Sequence, residues 1–206
     1  MKKLAVLSIA SVMTLSTAHA ELHKGSVSFE YLDMSLDLSD STTTLDGDVT
    51  EGGVGLSFFL NENLELTLSS STGDYNVLDT DINIDTTQFG FVYHTSRVDL
   101  YEGEGSGSSL GFSSVETELS VGGISLDDTQ NFVQVGYGAG LGNGLSVSAF
   151  ATLQTDELSN NGFGLELKKC SVNNLCASVG AGSSTASEGD VESDGSGITI
   201  GIDVLF

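Results

Sequence analysis

Apolar residues recur at every second position in block after block of this chain. The pattern is cleanest at the C-terminus, where Ile198, Ile200, Ile202, Val204 and Phe206 share one face and Thr199, Gly201 and Asp203 take the other. A strand points successive side chains to opposite faces, so period-two alternation predicts β-strands. It recurs at Leu64, Leu66 and Leu68, at Leu145, Val147, Ala149, Ala151 and Leu153, and at Val54, Leu56, Phe58 and Leu60. Further instances are Phe89, Phe91 and Tyr93, the odd positions from Val133 to Leu141, and Phe163, Leu165 and Leu167.

The opposite faces decide between a soluble sandwich and a membrane barrel. They are rich in Gly and small polar groups, among them Gly90, Gly136, Gly138, Gly164, Gly180 and Gly201. Such residues suit the crowded lumen of a small barrel with its apolar face turned to lipid. Ten strands are predicted, at about 26–36, 48–60, 64–75, 86–94, 98–106, 129–141, 145–155, 162–169, 175–183 and 196–206. Eight is the alternative count, and for the alternating stretch Val115 to Val121 a hairpin extending above the membrane is the alternative to a loop. Short connections at 61–63, 95–97, 142–144 and 170–176 alternate with long polar ones near 39–47, 76–85, 107–128, 156–161 and 184–195. In bacterial barrels the short side is periplasmic and the long side extracellular. The predicted fold is therefore an all-β, antiparallel, up-and-down transmembrane barrel with long acidic outer loops.

The first twenty residues read differently. Lys2 and Lys3, an apolar run from Leu4 to about Leu15, and Ala18-His19-Ala20 have the order of a secretory signal peptide cleaved before Glu21. The run falls short of the roughly 20 residues that span a bilayer. Residues 21–206 are then one barrel domain of 186 residues (206 − 20). The absence of Pro and the abundance of Gly agree with an antiparallel sheet, since Pro removes ladder hydrogen bonds. Cys170 and Cys176 are close in sequence in a chain bound for an oxidising compartment, which predicts a structural disulfide.

Charge narrows the partners. Without the leader, 4 basic and 29 acidic residues give a net charge of 4 − 29 = −25. Nucleic acid is excluded as a partner, because phosphate binding needs Lys and Arg. Lys24, Arg97, Lys168 and Lys169 all fall at the N-terminus or in the predicted periplasmic turns, while most acids fall in the predicted outer loops.

The terminal strand ending in Phe206, the phrase Phe58-Phe59-Leu60-Asn61-Glu62-Asn63-Leu64-Glu65-Leu66 and the leader together resemble the small outer-membrane barrels of Gammaproteobacteria, the OmpA/OmpX-like and porin-like families. The resemblance implies a location in the cell outer membrane among lipid and lipopolysaccharide. It also implies assembly by the barrel-assembly machinery, with Phe206 as the terminal aromatic that this machinery reads. It implies no cofactor.

Four kinds of candidate chemistry follow. Glu30, Glu65, Asp99, Glu166 and Asp203 fall on the non-apolar face, where acidic rings favour cations as they do in cation channels. The competing reading is a closed interior in which Lys168 and Arg97 pair with some of them. Phe59 and Phe150 also point inward by alternation and are candidate lumen constrictions, whereas Phe29, Tyr31, Phe89, Phe91, Tyr93 and Phe132 are expected to face lipid. The oxygen-rich run Asp79 to Asp85 lacks the Gly and distal Glu of a calcium loop, so loose association of divalent cations with acidic loops is the expectation rather than a metal site. His94-Thr95-Ser96 matches the minimal spacing of lipid A deacylating barrels but falls in a predicted periplasmic turn, so no catalytic residue is assigned. The functional expectation is a structural or porin-like barrel passing small cations or solutes, with surface interaction through the acidic loops as the alternative and lipid A modification as a remote third.

Overall fold

A sheet whose exterior meets lipid cannot leave backbone N–H and C=O groups unpaired, and closure into a barrel removes both edges at once. The computed structural model describes residues 24–39, 44–77, 80–122, 124–155, 159–171, 173–188 and 191–206. The leader expected at 1–20 lies outside them. Ten strands run in chain order: β1 Gly25–Ser39, β2 Thr44–Phe59, β3 Leu64–Val77, β4 Thr80–His94, β5 Ser106–Val121, β6 Ile124–Gly142, β7 Leu145–Gln154, β8 Ser159–Cys170, β9 Leu175–Glu188 and β10 Val191–Leu205. Each pairs antiparallel with its neighbours, and β10 closes on β1 from Ser26↔Leu205 to Ser39↔Glu192. Phe206 completes that seam: its carbonyl accepts hydrogen bonds from Lys24 N and Gly25 N, and its N–H donates to Gly25 O.

The start of β1, the end of β10 and the connections 60–63, 95–105, 143–144 and 171–174 lie at one end, here the turn end. Near it the strands are apolar outside and polar inside. Phe29, Tyr31, Phe89, Phe91, Val135, Tyr137, Ile200 and Ile202 are all exposed on the exterior. Their inward neighbours on the same strands include Ser28, Glu30, Gly90, Gln134 and Gly201. The exterior apolar face of β10, Ile198 to Phe206, covers roughly 20–25 Å at a rise of about 3.3 Å per residue and a tilt of about 40°, close to the band height of outer-membrane barrels.

Farther from the turn end the sides exchange roles. On β1 the exterior carries Asp33, Ser35 and Asp37, while Leu32, Met34 and Leu36 are buried inside. On β4 the exterior carries Asn83 and Asp85, while Ile82 and Ile84 are inside. These residues join Val49, Tyr75 and Leu119 in one apolar cluster within the barrel. The far half of the molecule is thus built like a water-soluble barrel, with an apolar core and an acidic surface.

This reversal corrects three expectations. The polar stretches read as long loops are mostly strand, and the far-end connections shrink to 40–43, 78–79, 122–123, 155–158 and 189–190. The fifth strand is Ser106–Val121 and not 98–106, because its apolar residues change face between Phe112 and Val115 and so hide the alternation. Phe132 faces inward and is buried, one position past the outward Val133 where the same change occurs on β6.

The reversal predicts opposite sensitivities for adjacent residues. Met34→Ala, which empties part of the internal cluster, should cost about 2–5 kcal/mol. Asp33→Ala, next to it on the solvated exterior, should fall within about 0.5 kcal/mol of the parent. Urea unfolding in lipid vesicles measures both, and an equal or greater cost for Asp33→Ala would contradict the assignment of faces.

Candidate functional site

Alternation along β1, β3, β8 and β10 carries Glu30, Glu65, Glu166 and Asp203 into the lumen in its turn-end half. Sequence reasoning missed Glu51, buried inside on β2, because its neighbours Gly52 and Gly53 give no alternation to read. Asp99 does not join the lumen group, which corrects the expectation. It lies in the 95–105 connection, where its Oδ1 accepts the backbone N–H groups of Tyr101 at 2.8 Å and Glu102 at 3.1 Å and shapes the turn.

Lys168 organises one side of the lumen. Its ammonium lies 3.0 Å from Asp203 and 3.5 Å from Glu166, and the lysine is 2% exposed. Glu30 and Glu166 share the lining of a cavity of about 10 Å³ with Phe150, Ser178 and Thr199, room for about one water molecule. A second recess of about 20 Å³, lined by Ser26, Ser57, Glu65, Thr67 and Gln88, lies on the β1–β4 side. Phe150 and Phe59 both face the lumen. The tip of the Phe150 ring covers Gly164, its cross-strand partner, where an added Cβ would sit 2.3 Å from Cζ.

The turn end is filled from below. The 95–105 connection folds across the barrel mouth, burying Val98 and Leu100, and Leu100 packs with Cys170, Cys176 and Leu205. The Cys170–Cys176 disulfide closes the β8–β9 turn at that contact. Gly103 lets the crossing chain pass close to β7: its φ is +67°, and a Cβ there would meet the backbone of Leu145 at 2.7 Å. Gly103 O and Gly105 O accept hydrogen bonds from Gly142 N and Gly140 N. The Arg97 guanidinium stacks 3.7 Å from the centre of the Phe59 ring, and that ring also meets His94. His94 is fully buried with its Nε2 3.0 Å from Glu65.

His94 therefore points into the barrel onto a carboxylate. Ser96 is exposed and its hydroxyl donates to Ser106 O at 2.6 Å, so the pair is not arranged as a base and nucleophile. Among the described residues no group of three or more His, Cys, Asp or Glu is placed to hold a metal ion. Of the run Asp79 to Asp85, Asp79 lies outside the described residues, and Asn83 and Asp85 are exposed on the exterior of β4.

No family model and no curated protein sequence matches the chain. Solved structures do. An outer-membrane channel from Pseudomonas putida F1 is 10% identical with a TM-score of 0.50, covering 91% of this chain and 97% of that one. The translocator domain of the autotransporter NalP from Neisseria meningitidis is 9% identical with a TM-score of 0.48, covering 96% and 92%. The outer-membrane protein OprG from Pseudomonas aeruginosa is 10% identical with a TM-score of 0.44, covering 92% and 98%. The first likeness supports the barrel fold, and at this identity it extends no further than the fold.

Removing the lumen cation tests whether it holds the carboxylates in place. Lys168→Met leaves the buried Asp203 and the half-buried Glu166 without their partner and should cost about 3–5 kcal/mol. Adding Asp203→Asn should recover part of that loss. Denaturant titration of the folded barrel reads both, and a neutral Lys168→Met would mean that the carboxylates are solvated without it.

Proposed function

We propose that this protein is an outer-membrane barrel whose lumen is shut at both ends and which serves to hold an acidic β-extension out from the membrane. The observation that carries the reading is the pair of seals on one lumen. The apolar cluster of Leu32, Met34, Leu36, Val49, Tyr75, Ile82, Ile84 and Leu119 fills the β1–β5 side of the far half, and Val98 and Leu100 fill the turn end. A water-filled channel leaves its lining side chains accessible, whereas Met34 and Val115 are 2% and 0% exposed. On this reading the turn end is periplasmic and the far end extracellular. Every Lys and Arg beyond residue 3 lies at the turn end, and among the described residues the charges on the exterior of the far half are all acidic, including Asp33, Asp46, Asp48, Asp74 and Glu118. That collar stands just above the lipid belt, where divalent cations bridge carboxylates to lipopolysaccharide phosphates. At the turn end the exposed Phe206 packs edge-on against Phe58.

One observation favours a second reading. The lumen holds Glu30, Glu51, Glu65, Glu166 and Asp203 against Lys168 and the Arg97 at its mouth, so a passage opened by withdrawal of both seals would favour small cations over anions.

Planar-bilayer recording separates the two. The display reading expects no resolvable single-channel steps from the whole mature chain. Steps with cation selectivity would replace it with the second reading, and anion-selective steps would remove both.

A further inference from the structure

β6 is longer than the strand beside it, and the difference exposes a sheet edge. β6 pairs with β5 over its whole length, from Val121↔Ile124 to Ser106↔Ala139, but its ladder with β7 starts only at Phe132↔Gln154. β7 ends at Gln154 and β8 begins at Ser159, so residues 124–129 have no strand beside them on that side among the described residues. The direction of the free groups follows from the last bond before the gap, in which Thr155 N donates to Asn131 O at 2.8 Å. In an antiparallel ladder alternate residues aim their N–H and C=O to the same side, so Ser125, Asp127 and Thr129 present theirs to the open edge.

Two further features coincide there. Val121, Ile124 and Leu126 are exposed, with Ile124 at 69%, because the shorter β7 and β8 leave nothing beside the tip of the hairpin. Its other face carries Glu116 and Glu118 on β5 and Asp127 on β6, Asp128 stands beside Leu126 on the apolar face, and no Lys or Arg lies anywhere in the far half. Edge charges commonly keep like chains from pairing, and here two copies set edge to edge would oppose acid to acid. The same charges complement a basic strand.

We propose that the free edge of β6, residues 124–129, docks an extended, cationic peptide segment of another protein by strand addition, its main chain pairing with Ser125, Asp127 and Thr129. Alternate side chains of such a segment meet the exposed Leu126 and Ile124 on one face and the acids on the other, the usual division between main-chain affinity and side-chain selection. The proposal rests on the display role, because the hairpin must reach the cell exterior to meet such a partner.

The test uses the mature barrel, folded and free of lipopolysaccharide in zwitterionic detergent, with an alternating lysine–valine peptide as probe and an alternating glutamate–valine peptide as control. Titration calorimetry should show saturable binding of the lysine peptide alone, weakening with added salt. Amide exchange at Ser125, Asp127 and Thr129 should slow on binding. Thr129→Pro removes an edge donor without touching a bond to β5, as Pro is tolerated on edge strands. It should weaken binding about tenfold, as should the pair Asp127→Lys and Asp128→Lys. Absence of binding, equal binding of the glutamate peptide, or parental affinity in both variants would overturn the proposal. The display role is read separately by an epitope tag inserted between Gly122 and Gly123: a tag that antibody cannot reach on intact cells sinks that role, whatever the purified protein binds.

Discussion

The rest of the structure depends on one constraint, that a continuous closed sheet must pass from hydrocarbon into water without losing a backbone hydrogen bond. In lipid the exterior has to be apolar and the lumen absorbs the polar side chains; in water the requirement is opposite. Because side chains alternate strictly, a strand meets both demands only by moving its apolar residues from one parity to the other at the boundary. β1 does so between Tyr31 and Leu32, β4 between Phe89 and Ile84, β5 between Phe112 and Val115, and β6 between Val133 and Phe132. The changes fall at comparable distances from the turn end on different strands. That concordance marks the edge of the lipid belt more sharply than any single residue.

The same change explains what could and could not be read from the sequence. Nine strands were found because each has a lipid-facing half with unbroken alternation, and the terminal strand Ile198 to Phe206 is almost wholly of that kind. The fifth was misplaced because β5 has only Leu110 and Phe112 on its lipid side before its apolar residues switch to Val115 and Leu119. Seen without that switch, 107–128 looks polar and irregular. The far ends of β2 and β4 fall in stretches that read as loops for the same reason, and although Leu32, Met34 and Leu36 lie within the strand expected at 26–36, their change of face, and with it the internal apolar cluster, is announced by no local pattern. Of the candidate lumen residues, those on true strands were legible from parity. Asp99 was not, since parity means nothing in a connection, and the stacking of Arg97 on Phe59 depends on a chain crossing that no local pattern announces.

The two seals differ in kind. The far one is a side-chain core distributed over five strands, so it opens only if that part of the barrel loses its packing. The near one is a single segment, 95–105, held by Leu100 against the disulfide, by hydrogen bonds to Gly140 and Gly142, and by Tyr101, whose hydroxyl donates to Asn174 at 2.6 Å. A segment anchored at separate points can be displaced without unfolding the barrel. The lumen between the seals holds Lys168 among carboxylates, together with side-chain groups that have no protein partner, such as Thr67 Oγ1 and Thr152 Oγ1.

Asymmetry between the two ends bears on where the protein does its work. The turn end carries the apolar exterior and holds Lys24, Arg97, Lys168 and Lys169, while the far half extends past the apolar band and carries acids on its exterior. A mere anchor has no need of that height, since the apolar cluster that supports it is extra core beyond what spanning requires. Length is also unequal around the barrel: β7 and β8 are short where β5 and β6 are long. A closed sheet gains its stability by having no edge, and among the described residues the longest run left without a strand on one side is on β6, over residues 124–129. An exposed edge invites non-specific pairing, so the acids beside it act as a filter on what can pair. Height, local loss of closure and charge thus converge on one hairpin, whereas the lumen shows no comparable convergence on a continuous path.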